Sequence, residues 1–103
     1  SVGDFLLKIN SQNTIIYSND GKSWNGVGSS IFSTSGNSVA WNGTRWVALG
    51  SGTNTIAYSS DGITWTGIGT SIFSTSGQGV AWNGSIWVAL GSGTNTIAYS
   101  SDG

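Results

Sequence analysis

The chain repeats itself every 41 residues, and that period limits its fold more than any other feature. Asn13-Thr14-Ile15-Ile16-Tyr17-Ser18 returns as Asn54-Thr55-Ile56-Ala57-Tyr58-Ser59 and again over Asn95 to Ser100. Trp24, Trp41 and Trp46 return as Trp65, Trp82 and Trp87 at the same spacing. Segments 13–53 and 54–94 share 30 of 41 residues, and segments 42–62 and 83–103 share 19 of 21. The first twelve residues keep only the type, with Phe5-Leu6-Leu7 standing where Trp46-Val47-Ala48 stands. A period of this length marks one supersecondary unit that cannot bury its apolar face alone and must stack on its neighbours.

Turn residues divide each unit into four short strands. Ser38-Val39-Ala40-Trp41 ends at Asn42-Gly43, a hairpin signal read as a type I′ turn with φ > 0 at both positions. Arg45-Trp46-Val47-Ala48-Leu49 ends at Gly50-Ser51-Gly52, and Thr55-Ile56-Ala57-Tyr58-Ser59 ends at Asp61-Gly62. Ile63-Thr64-Trp65-Thr66 makes the fourth strand, and Gly67 to Gly77 makes a longer connection carrying Ile68, Ile72 and Phe73.

The second of these strands is apolar at successive positions, so both of its faces are expected to be covered. The fourth alternates, as a half-exposed outer strand does. Small sheets buried on both faces inside and wet at the rim predict an all-β fold of propeller-type blades, each of four antiparallel strands. An open solenoid of stacked sheets is the rival. The expected organisation is a single repeat domain over 1–103: a partial blade over about 1–37, a full blade over 38–78 and a partial blade over 79–103.

The segment Ser59-Ser60-Asp61-Gly62-Ile63-Thr64-Trp65 resembles the Asp-box, or BNR, repeat of sialidase-like β-propellers, S-x-D-x-G-x-T-W, shortened by one residue between Asp and Gly. Ser18-Asn19-Asp20-Gly21-Lys22-Ser23-Trp24 is a second copy, and Ser100-Ser101-Asp102-Gly103 matches the motif's opening. The resemblance implies a propeller scaffold. The residues themselves predict a turn in which Asp20, Asp61 and Asp102 accept backbone N–H groups. Gly21, Gly62 and Gly103 supply φ > 0, and Trp24 and Trp65 pack back over the hairpin. Sialidase chemistry needs an arginine triad and a tyrosine–glutamate pair. This chain has one Arg (Arg45) and no Glu, so the resemblance carries the scaffold and not the activity.

Composition narrows function further. There is no His, Cys or Met, and charge is confined to Lys8, Lys22, Arg45, Asp4, Asp20, Asp61 and Asp102. The usual nucleophiles and acid–base groups are therefore missing, no catalytic residue or cofactor site is expected, and no cluster of basic residues exists to grip nucleic acid. No apolar run has the roughly 18 residues of a membrane span. One carboxylate per turn favours turn-capping over calcium binding. Trp41 and Trp82, near turns, are the candidates for glycan stacking, although core packing is the simpler role for tryptophan on these strands. Asn42-Gly43-Thr44 and Asn83-Gly84-Ser85 match the glycosylation sequon, but turn chemistry at Asn42 and Asn83 explains them without any sugar. Tyr17, Tyr58 and Tyr99 recur as packing residues without a recurring base.

The terminal units are expected to lack one strand each, which exposes sheet edges and uncovered faces. The expected partners are other copies of the chain, as a homo-oligomer or filament, and the expected role is a structural, self-assembling module, extracellular or surface-exposed. A lectin-like module binding glycans or protein is the alternative. Neither nucleic acid nor membrane insertion enters either reading.

Overall fold

Ten short strands and no helix make up the described residues of the computed structural model, which are 6–8, 14–18, 23, 25–28 and 30–103. Asp20, Gly21 and Trp24 of the first turn motif lie outside them. In chain order the strands are β1 (Leu6–Lys8), β2 (Ile15–Ser18), β3 (Asn25–Gly28), β4 (Ser35–Trp41), β5 (Trp46–Ser51), β6 (Ile56–Ser59), β7 (Thr66–Gly69), β8 (Ser76–Trp82), β9 (Trp87–Ser92) and β10 (Ile97–Ser100). They form three antiparallel sheets in the orders β1-β2-β3, β4-β5-β6-β7 and β10-β9-β8, and these sheets do not close into a ring.

The sheets stack face to face, and the alternation of side chains along β5 sends one set each way. Trp46 and Ala48 join Ile15, Phe32, Ala57 and Trp65 in one buried cluster, towards the first sheet. Val47 and Leu49 join Phe73 and Trp87 in a second, towards the third sheet. The central strand is therefore covered on both faces, as its unbroken apolar run requires. The initial strands meet as well: Asn37 Nδ2 on β4 donates to Gly77 O on β8 at 2.7 Å, and the Val80 N–H donates to Ser38 Oγ at 3.3 Å. A register shift recurs at the same place in both strands, between Gly36 and Ser38 and between Gly77 and Gly79.

Two expectations need correction. The fourth strand is not Ile63–Thr66 but β7, Thr66–Gly69, and the connection that follows is only 70–75. The N–H groups of Ile63 and Thr64 are bound by the Asp61 carboxylate at 2.9 and 2.8 Å, which takes them out of any ladder. The Asn42-Gly43 turn is not type I′. Gly43 alone has positive φ, 106°, and no described residue other than glycine does. Asn42 stays in the ordinary region, its N–H bonding Arg45 O at 3.1 Å, and works through its side chain instead.

Candidate functional site: sheet faces, the cleft between them and the capped turns

Within the sheets, side chains at the turns bind backbone N–H groups that no ladder satisfies. In the Asp61 turn, Ser59 Oγ accepts from the N–H of Asp61 at 3.2 Å and of Gly62 at 2.8 Å, and donates to Asp61 Oδ1 at 2.9 Å. Asp61 Oδ1 in turn takes the N–H of Ile63 and Thr64. Gly62 lies at φ 80°, and the Trp65 Nε1–H donates to its carbonyl at 3.0 Å, which folds the indole back into the core. Hydrogen bonds from the Thr64 and Ile63 N–H groups hold the Asp61 carboxyl below its usual value. The third copy repeats the serine part of this geometry: Ser100 Oγ accepts from Gly103 N at 2.8 Å and donates to Asp102 Oδ1 at 3.0 Å, with Gly103 at φ 81°. Asp61 and Asp102 sit in separate turns, and no three metal-ligating side chains come together among the described residues.

Asn42 and Asn83 cap their hairpins in the same way. Asn42 Oδ1 accepts the N–H groups of Thr44 at 2.9 Å and Arg45 at 2.7 Å; Asn83 Oδ1 accepts those of Ser85 and Ile86, both at 2.8 Å. Trp41 and Trp82 are half-buried rather than open platforms, each tilted against a fully packed neighbour: Trp41 on Trp46 at 5.0 Å and Trp82 on Trp87 at 5.3 Å.

Sequence reasoning missed a third polar device. Asn54 Nδ2 donates to Ile31 O at 2.9 Å while its Oδ1 accepts the Gly69 N–H at 2.9 Å, so one side chain ties the entry of the central sheet to its last strand. The recurrence of Asn95, whose Nδ2 donates to Ile72 O at 2.9 Å, is the signal that could have revealed it. Arg45 was also passed over. Its guanidinium lies 4.5 Å above the Tyr58 ring and donates to Asp102 O at 2.9 Å, joining the central sheet to the third turn.

The faces themselves differ sharply between repeats. On the central sheet Val47 and Leu49 are 4% and 0% exposed, covered by the third sheet. Their counterparts on the third sheet, Val88 and Leu90, are 37% and 51% exposed, and beside them Ile97 and Tyr99 are 66% and 80% exposed. Together these four make an apolar face on β9 and β10 with no sheet against it among the described residues. Between the second and third sheets lies a cleft of about 350 Å³ bounded by apolar side chains and, at one end, by Ser100, Asp102 and Gly103.

Compared with known protein families, curated proteins and solved structures, the chain matches none.

Proposed function

We propose that the chain is a non-enzymatic structural module, a stack of propeller-type blades of the shortened Asp-box kind, that assembles with other copies of itself through its sheet faces. The observation that carries this reading is the exposed face of Val88, Leu90, Ile97 and Tyr99. The repeat supplies its natural cover, because the same positions one unit earlier, Val47, Leu49, Ile56 and Tyr58, pack against the next sheet. Contiguous apolar surface of this kind marks an interaction site. The occupant is the first sheet of a second copy, docking head to tail as the third sheet docks on the second. A heterologous contact of this type gives a ring if the rotation closes and a filament if it does not.

The polar groups support the same role. The prominent recurring side-chain polar groups are committed to turns: Ser59 and Asp61, Asn42 and Asn83, and Asn54 all bind backbone. Sedimentation of the chain beside Leu90→Lys tests the reading. Leu90 is half exposed, so the lysine leaves the fold intact and abolishes association. Unchanged association in the folded variant would move the interface elsewhere.

A further inference from the structure

The cleft between the second and third sheets is the structural counterpart of the space that Trp65 fills between the first and second. Trp65 is 8% exposed and packs with Ile15, Trp46, Ala48 and Ala57, flanked by Val27, Ile31 and Val39. Moved forward by one repeat, Ile15, Trp46, Ala48 and Ala57 become Ile56, Trp87, Ala89 and Ala98, and all four line the cleft. The flanking Val27, Ile31 and Val39 become Ile68, Ile72 and Val80, and these line it too. The turn from which Trp65 springs also has its counterpart at the cleft mouth, since Ser59, Asp61 and Gly62 correspond to Ser100, Asp102 and Gly103.

Two further observations agree. Ile68 and Ile72 are 42% and 38% exposed, whereas Val27 and Ile31, their counterparts beside Trp65, are half-buried. The edge that would carry the next strand is also exposed. β6 is paired on both sides, with β5 and β7, whereas β10 is paired only with β9.

We infer that the cleft and the β10 edge together form a docking site for a tryptophan-bearing β-strand of the same repeat type, the kind of segment that residues 63–69 provide in the central sheet. The strand adds to β10 as β7 adds to β6, with main-chain hydrogen bonds giving orientation. The indole enters the cleft against Ala89 and Ala98, where alanine leaves room for it, and supplies most of the selectivity as a buried aromatic anchor. This inference goes beyond the assembly reading. The cleft lies within one chain, so the site stands or falls independently of whether the Val88–Tyr99 face meets a second copy.

The test is a titration of the full 103-residue chain with the synthetic heptapeptide Ile-Thr-Trp-Thr-Gly-Ile-Gly, the sequence of residues 63–69, followed by methyl resonances. Saturable shifts are expected at Ile72, Ala89 and Ala98. Replacing the peptide's tryptophan by alanine should weaken binding by at least about tenfold. In the chain, Ala98→Leu should weaken it too by filling the cleft, with the folded spectrum of that variant checked first. Absence of shifts at millimolar peptide, equal binding of the alanine peptide, or shifts confined to Val88 and Leu90 would each overturn the inference. None of these results bears on the sedimentation of the chain alone, so the two proposals fail separately.

Discussion

Asp61 shows how one short side chain sets a local course. Its Oδ1 is shared among Ser59, Ile63 and Thr64, so removing it leaves two N–H groups to water and frees the turn that aims Trp65 inward. Asp61→Ala should lower stability by about 1–2 kcal/mol, the usual loss for a side-chain cap, read as a thermal melt. An unchanged melting temperature would deny it that role. The same hydrogen bonds lower the folded pKa, so the native state binds its proton less tightly than the unfolded chain. The stabilisation is then complete above the ordinary aspartate value of about 4 and is lost as pH falls through the lower folded value. Wild type should therefore lose stability on acidification in that range, and Asp61→Asn should flatten the loss. Glycines give a second contrast. A Cβ at Gly50 would run into the backbone carbonyl of Ser35 and stand 2.7 Å from the ring of Phe32, which is fully buried, whereas one at Gly79 meets nothing within 4 Å. Gly50→Ala should cost about 1–3 kcal/mol by overpacking, and Gly79→Ala should be close to neutral. Equal melting temperatures for the two would contradict the packing described at Phe32.

At the scale of strands, much was legible because turns punctuate them. The runs ending at Trp41, Leu49 and Ser59 all proved to be strands, and the doubly buried character of β5 followed from its unbroken apolar sequence. The fourth strand was misplaced for a physical reason. Ile63-Thr64-Trp65-Thr66 alternates as a strand should, but alternation cannot reveal that Asp61 has already claimed two of its N–H groups. Gly67-Ile68-Gly69 reads as the start of a connection, yet Gly67 is glycine because Asn54 lies where its Cβ would be. At the Asp61 turn the roles of Asp61, Gly62 and Trp65 follow the sequence pattern, whereas the cleft was not legible, since its walls come from two sheets whose mutual register no local pattern encodes. The four-strand unit without helix has a direct spectroscopic consequence. Far-ultraviolet circular dichroism should show β-structure with tryptophan contributions, and a spectrum with the paired minima of a helix would contradict it.

At the scale of the whole molecule, each face of the central sheet has a neighbouring sheet stacked on it, whereas the far face of the third has none among the described residues. The same four repeat positions are covered in one sheet and bare in the next, so the difference lies in what stands opposite and not in residue type. Burial of Leu49 makes Leu49→Ala costly in the single chain, about 2–5 kcal/mol for a core leucine. Leu90→Ala should cost little in a dilute chain and should act instead on association. The most direct measurement is light scattering of the unmodified chain at micromolar concentration. Assembly through the Val88, Leu90, Ile97 and Tyr99 face predicts a folded species heavier than one chain, growing with concentration. A folded, monodisperse particle of 10.6 kDa across that range would contradict it.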